Sequence, residues 1–218
     1  IMFKLVIFDL DGVLYDSKEI HFNALNKALK KIDKKYIISF DEHTNIYDGL
    51  TTNSKLELLT QKKGLEKSYY EKVWNLKQLE TQELLSEIKP NDVLIEILKE
   101  LKKNNYLISC ASNSIKSTVD MVLKQLKIEN YFDNIISNED VNNPKPHPEM
   151  YWKAIVENNV LPTETLIIED SPVGRKAAMM SGANHYFVNN SNEVDYKLLE
   201  FILNPDINKE KKLQSYEN

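Results

Sequence analysis

Short, nearly continuous apolar runs recur along the chain, and longer stretches with helical periodicity separate them. The first run covers residues 4–9, and four more lie at 106–111, 134–137, 165–169 and 184–188. Continuous apolar runs of this length are typical of parallel strands that are covered on both faces. Strands that alternate with helices predict an α/β fold with a doubly wound, Rossmann-like parallel sheet.

The alternation is interrupted between residues 16 and 89, where no run has the pattern of a strand. Apolar residues at helical spacing fill this segment instead, for example Val73, Leu76 and Leu79. We interpret residues 16–89 as an inserted α-helical cap domain, so that residues 1–15 and 90–204 form the α/β core. The alternative is a single domain with these helices packed on one face. The polar tail, 205–218, is expected to be frayed or to form one peripheral helix.

Residues suited to binding a phosphate or a metal ion lie at the ends of the predicted strands and in one proline-flanked turn. They are Asp9, Asp11, Ser112, Asn113, Lys145, Glu169 and Asp170. Ligands of open α/β sheets bind beyond the carboxyl ends of the strands, so we expect these side chains to meet at one edge. Clustered carboxylates repel one another unless a cation neutralises them, and an oxygen-rich site of this kind suits Mg²⁺. The Ser112 turn and Lys145 can hold a phosphate there, and a carboxylate beside both can act as a nucleophile.

The same residues form four motifs in order along the chain. They are Asp-Leu-Asp-Gly-Val-Leu at 9–14, an apolar strand ending in Ser at 107–112, Lys-Pro-His-Pro at 145–148 and Ile-Glu-Asp-Ser at 168–171. In type, order and separation they resemble the motifs of the haloacid dehalogenase-like superfamily of phosphotransferases, over about residues 3 to 201. The helical insert resembles the cap of the branch that contains β-phosphoglucomutase and the sugar-phosphate phosphatases.

This resemblance implies a role for each motif residue. Asp9 would attack phosphorus, and Asp11 would protonate the leaving alcohol and then activate water. The expected ligands of Mg²⁺ are Asp9, Glu169, Asp170 and the backbone carbonyl of Asp11. The residues expected to hold the phosphoryl oxygens are Ser112, Asn113 and Lys145. In the cap, the residues expected to contact the substrate are His21, Gly49, Thr52 and Lys77.

The preferred function is a Mg²⁺-dependent phosphatase that hydrolyses a small phosphorylated metabolite, such as a sugar phosphate, through an aspartyl-phosphate. A β-phosphoglucomutase-like mutase is the rival enzyme. Its cap needs a cationic contact with a second phosphate, yet Thr52 stands where that family carries an Arg, and Lys55 or Lys77 could compensate. The rival from another class is a non-catalytic phospho-ligand binding protein, which should have lost a motif acid or the Lys. All of them are present.

Composition excludes several other partners. The net charge is −5, from 28 basic and 33 acidic residues, and the basic residues form no strong cluster. Nucleic acid is therefore an unsuitable main partner. No apolar run approaches the ~18 residues of a membrane span. The single cysteine, Cys110, sits inside an apolar run and cannot form an internal disulfide, so we expect a core residue and a reducing compartment. The default expectations for location and assembly are the cytoplasm and a monomer.

Overall fold

The computed structural model describes residues 3–205, and the predicted tail beyond Pro205 lies outside the described residues. The strands are β1 (Leu5–Phe8), β2 (Leu107–Ala111), β3 (Asn134–Ile136), β4 (Thr165–Glu169) and β5 (Asn184–Phe187). All are parallel and form one sheet in the order β3-β2-β1-β4-β5. Each strand lies within an apolar run that predicted it, and the order confirms the doubly wound α/β fold.

Helices connect every pair of consecutive strands. Those of the described chain are α1 (Lys18–Lys30), α2 (Phe40–Glu42), α3 (Thr52–Lys63), α4 (Tyr70–Leu85), α5 (Asp92–Lys103), α6 (Lys116–Gln125), α7 (Glu149–Glu157), α8 (Pro172–Met180) and α9 (Tyr196–Leu203). Side-chain caps mark several of their starts. Asn91 Oδ1 accepts hydrogen bonds from the N–H groups of Val93 and Leu94, and Ser171 Oγ accepts one from Gly174 N–H. Such caps satisfy backbone donors that have no partner within the helix.

The central strand β1 shows why the apolar runs are continuous. Val6 and Phe8 belong to a core cluster that includes side chains of α5, α6 and α9. Leu5 and Ile7 belong to a second cluster with side chains of α7 and α8. All four side chains are fully buried, because successive strand residues point to opposite faces and helices cover both.

The helices α1 to α4, between β1 and β2, enclose a hydrophobic cluster of their own. Its buried members are Leu25, Ala28, Leu29, Tyr36, Ile38, Tyr47, Leu56, Leu59, Leu65 and Val73. This separate cluster identifies the insert as a helical cap placed after the first strand, as the sequence predicted.

The cap helix α4 departs from its predicted apolar stripe. Val73 is buried, but Leu79 is 64% exposed, so the prediction for Leu79 is wrong. The buried positions one and two turns further along α4 are polar instead, and they are Lys77, Gln78 and Thr81. The physical reason is that this part of α4 lines a polar cavity, where Lys77 and Gln78 contribute to the wall.

Cys110 lies fully buried in β2, which confirms that it is a core residue. Burial raises the pKa of its thiol well above the ordinary value, so the thiol stays protonated and is a poor nucleophile. None of the helices within residues 3–205 is long and apolar enough to cross a membrane.

Candidate active site

The register of the sheet brings the motif residues to one edge. Phe8 is paired with Cys110 of β2 and with Ile168 of β4, so Asp9 lies level with the last residues of both strands. The N–H of Asp9 donates to the Ile168 carbonyl at 3.0 Å, which extends the β1–β4 ladder to the nucleophile candidate itself. β2 and β3 follow on one side of β1, and β4 and β5 follow on the other side, so the strand order reverses at β1. Ligands of open α/β sheets bind at such a switch point.

The ammonium of Lys145 lies at the centre of this edge, and the Lys145 side chain is 2% exposed. Its Nζ donates to Asp9 Oδ1 at 2.6 Å, to Glu169 Oε1 at 2.6 Å and to the Ala111 carbonyl at 2.8 Å. The Tyr151 hydroxyl donates to the same oxygen of Glu169 at 2.5 Å. Burial opposes the charge of Lys145, but Asp9 and Glu169 outweigh it and raise the pKa of Lys145 well above its ordinary value. Lys145 is therefore a fixed positive charge.

Asp9, Glu169 and Asp170 offer carboxylate oxygens within 4.8 Å of one another, and all three residues are buried. Burial and then the charge of Glu169 raise the pKa of Asp9 and bring the pKa of Asp170 to about 7. Lys145 lowers the pKa of Asp9 but does not offset these effects. Asp170 Oδ1 is buried and has no hydrogen-bond partner in the described part of the chain. An all-oxygen site in which three carboxyl groups share one cation, Lys145, and which holds a free buried oxygen fits Mg²⁺.

Two glycines allow this cluster to pack. A Cβ on Gly12, whose φ is +81°, would lie 2.1 Å from Asp170 Oδ2. A Cβ on Gly174, in the first turn of α8, would lie 2.0 Å from Glu169 Oε1. No larger residue could stand at either position without displacing a carboxylate.

Asp11 has a different set of partners. Its Oδ1 accepts from the Tyr15 hydroxyl and lies 2.7 Å from His21 Nε2, while its Oδ2 accepts from Ser114 Oγ at 2.8 Å and from Ser112 Oγ at 3.4 Å. Burial alone would raise the pKa of Asp11, but the interactions with His21, Tyr15 and Ser114 outweigh it and lower this pKa. Burial lowers the pKa of His21 itself, so at neutral pH a neutral imidazole can donate to Asp11. The structure thus holds Asp11 as a carboxylate, outside the three-acid cluster.

The side-chain amide of Asn113 is already occupied. Its Nδ2 donates to the carbonyls of Gly49 at 2.9 Å and Lys145 at 3.0 Å, and its Oδ1 accepts from the N–H of Lys145 at 2.9 Å. The phosphate contact predicted for Asn113 would therefore have to come from its backbone N–H.

A cavity of about 710 Å³ separates this edge of the core from the cap. The predicted site residues that line it are Asp9, Asp11, Asn113 and Lys145 from the core and His21, Gly49, Thr52 and Lys77 from the cap. Ser112, Glu169 and Asp170 are not among the lining residues, whereas Lys55 is. The structure thus brings the predicted cap residues to the same space as the nucleophile candidate.

Lys55 and Lys77 are 5% and 6% exposed in the cap wall. Neither ammonium has a hydrogen bond or an ion pair with any residue between 3 and 205. Burial, with the charge of Lys55 added, lowers the pKa of Lys77 to about 7, and burial also lowers the pKa of Lys55. Two buried, unpaired ammonium groups facing a cavity can bind an anion.

Comparison with known proteins places these observations in a family. A model of the haloacid dehalogenase-like hydrolases matches residues 6–188. The chain is 30% identical over 186 residues to the phosphorylated carbohydrates phosphatase of Thermotoga maritima, covering 84% of this chain and 83% of the relative. It is 32% identical over 187 residues to the β-phosphoglucomutase of Bacillus subtilis, covering 82% and 80%.

Two solved structures have the same fold. The β-phosphoglucomutase of Clostridium difficile superimposes with a TM-score of 0.81 at 24% identity, covering 94% of this chain and 99% of that one. CbbY of Rhodobacter sphaeroides, in complex with phosphate, gives 0.76 at 20% identity, covering 85% and 86%. The chain belongs to the haloacid dehalogenase-like hydrolase family. Within that family, its helical cap places it in the subfamily of β-phosphoglucomutases and sugar-phosphate phosphatases.

Several residues of the site escaped the sequence-based prediction. Tyr151 lies on an apolar helical stripe that is indistinguishable from an ordinary core face, and the position of Ser114 gives no hint that it bonds to Asp11. Gly174 carried a usable signal, because glycine inside a helix is unfavourable and marks a close approach. Lys18, whose Nζ lies 3.7 Å from oxygens of both Asp48 and Asp170, has no sequence signal that sets it apart from a surface lysine.

Proposed function

We propose that the protein is a Mg²⁺-dependent phosphatase that hydrolyses small phosphorylated metabolites through an aspartyl-phosphate on Asp9. The observation that carries the proposal is the shared Lys145 ammonium between Asp9 and Glu169, beside the free buried oxygen of Asp170. This arrangement supports a carboxylate nucleophile, a cation site and a fixed positive charge at one cavity wall. The phosphatase and mutase activities of the relatives agree with it.

The chemistry divides into two displacements at phosphorus. In the first, an Asp9 oxygen forms a bond to phosphorus, the ester P–O bond breaks, and the departing oxygen takes a proton from Asp11. In the second, water attacks the aspartyl-phosphate, gives a proton to Asp11 and releases inorganic phosphate and free Asp9. Asp9, Glu169 and Asp170, with the backbone carbonyl of Asp11, would hold Mg²⁺, which when bound neutralises charge on the phosphoryl oxygens. Since the observed contacts keep Asp11 ionised, this residue has to gain a proton before the first step.

The direct test is phosphate release from a panel of phosphorylated metabolites by the purified protein. Excess chelator should abolish release, Mg²⁺ should restore it, and Ca²⁺ should restore it poorly because its looser coordination leaves the nucleophile badly aligned. Full activity in chelator would refute the role of the metal. Binding of phosphate esters without turnover of any of them would favour the non-catalytic binding protein.

A phosphosugar mutase is the second candidate, and the unpaired ammonium groups of Lys55 and Lys77 favour it. A mutase needs binding energy from a second phosphate to exclude water while a sugar hydroxyl takes the phosphoryl group. The two lysines could supply this energy although Thr52 is neutral. To test this, the protein is given β-glucose 1-phosphate together with the sugar bisphosphate that primes a mutase. The amounts of inorganic phosphate and of glucose 6-phosphate formed are then measured in the same reaction. Faster release of phosphate supports the phosphatase, and faster isomerisation supports the mutase.

A further inference from the structure

The cap loop around Gly49 is docked closely on the core. Gly49 has a φ of +73°, and a Cβ at this position would lie 2.7 Å from Ser171 Oγ and 2.9 Å from Ser171 Cβ. The Gly49 carbonyl accepts the hydrogen bond from Asn113 Nδ2. On the same loop, Asp48 shares the Lys18 ammonium with Asp170 of the acid cluster. Three separate contacts therefore hold this loop against the edge of the sheet that carries the catalytic candidates.

The amide that reaches the cap also holds the backbone of Lys145. One N–H of Asn113 points to the cap and the other to the Lys145 carbonyl, while Asn113 Oδ1 accepts from the N–H of Lys145. The paired bonds to one residue fix the backbone from which the Lys145 side chain extends to Asp9 and Glu169. Two residues, Asn113 and Lys145, thus connect the Gly49 carbonyl of the cap to Asp9 through hydrogen bonds.

We infer that Asn113 is a positioning residue that couples docking of the cap loop to the placement of Lys145. When the loop lifts, Asn113 loses the acceptor of one N–H, and the amide is free to rotate away from the Lys145 backbone. When the loop docks, the amide is held by three hydrogen bonds and Lys145 is aligned. The inference rests on the proposed phosphatase function, because it describes how a bound substrate under a closed cap would meet an aligned cation.

The substitution Asn113→Asp separates the donor role from the shape of the residue. The new side chain keeps an acceptor for the Lys145 N–H but turns an oxygen toward the carbonyls of Gly49 and Lys145. We expect kcat/KM to fall about 10–100-fold, because two donated bonds become repulsive contacts. Asn184→Asp is the matched control, since Asn184 Nδ2 also donates to two backbone carbonyls but lies at the opposite end of the sheet. It should change kcat/KM less than about 2-fold.

A double-mutant cycle tests whether Asn113 acts through the cap loop. Gly49→Ala should prevent docking independently, because its Cβ would collide with Ser171. If coupling is correct, Gly49→Ala should cost much less in the Asn113→Asp background than in the wild type. Effects that simply multiply, in variants that melt like the wild type, would overturn the inference and leave Asn113 as a local support of Lys145.

Hydrogen exchange of the wild-type protein provides a readout that needs no variant and no turnover. With Mg²⁺ and inorganic phosphate as the probe, backbone amides of residues 48–50 and of Lys145 should gain protection together. Protection of one segment without the other would refute the coupling. A wild type that turns over no phosphate ester would refute the proposed function instead, whether or not the two segments respond together.

Discussion

The two walls of the cavity hold their positive charges in opposite ways. On the core wall, the Lys145 ammonium makes three hydrogen bonds, two of them to buried carboxylates. On the cap wall, Lys55 and Lys77 are almost as buried, yet neither is paired with any residue that the structure describes. A charge with its partners built in is preorganised for chemistry, whereas a buried charge without a partner is costly until a ligand supplies the anion. We infer from this difference that the core wall carries the proposed catalysis and that the cap wall recognises the substrate.

The largest effect should come from the nucleophile candidate. Asp9→Asn keeps the shape of the side chain but removes the charge that attacks phosphorus, so kcat should fall by about 10⁴-fold or more. Asp120→Asn, at an exposed carboxylate of α6, is the control and should be fully active. The measurement is steady-state phosphate release, with thermal melting to verify the fold. Retention of more than about a tenth of the wild-type kcat would exclude Asp9 from this role.

Loss of the core cation should damage both chemistry and stability. In Lys145→Met, Asp9 and the fully buried Glu169 lose their positive partner. We expect kcat to fall about 10³-fold and the free energy of unfolding to fall by about 3–5 kcal/mol, as for other broken buried ion pairs. Urea unfolding measures the second effect, and the exposed Lys103→Met serves as the control. An unchanged midpoint of unfolding would show that Lys145 is not the electrostatic centre of this edge.

The cap lysines should behave in the opposite way. Lys77→Met removes an unpaired buried charge, so the protein should become about 1 kcal/mol more stable rather than less. The same change should raise KM about 10–100-fold for a sugar bisphosphate but change KM little for a sugar monophosphate. Lys72→Met, at an exposed position of the same helix, is the control. Equal changes in KM for both substrates would contradict recognition of a second anionic group.

The same division explains which features could be predicted from the sequence. Three of the four motifs of the core lie at the ends of buried strands, and the register of a parallel sheet carries their side chains to one edge, so periodicity sufficed for them. Lys145 lies in a proline-flanked turn instead, which periodicity does not place. On the cap wall the polarity is inverted, with Lys77 buried and Leu79 exposed, because a cavity rather than a packed core faces α4. Periodicity assigns polar residues to solvent and cannot recognise such a cavity. The bonds of Asn113 escaped prediction for another reason, since both acceptors are backbone carbonyls far away in sequence.

The remaining effects concern the pH dependence of stability without metal. The pKa of Asp170 rises from 3.8 to about 7 on folding, so between these values the folded state binds more protons and stability falls as pH rises. The pKa of Lys77 falls from 10.5 to about 7, so from pH 7 to 10.5 the unfolded state binds more protons and stability rises with pH. Urea unfolding in chelator measures both slopes. Asp170→Asn should reduce the dependence of stability on pH between 3.8 and about 7, and Lys77→Met should reduce it between about 7 and 10.5. Mg²⁺ should counteract the loss of stability between pH 3.8 and about 7, because it stabilises ionised Asp170. It should leave the pH dependence caused by Lys77 unchanged. If each variant kept the wild-type slope in its own window, the contrast between the two walls would not be electrostatic in origin.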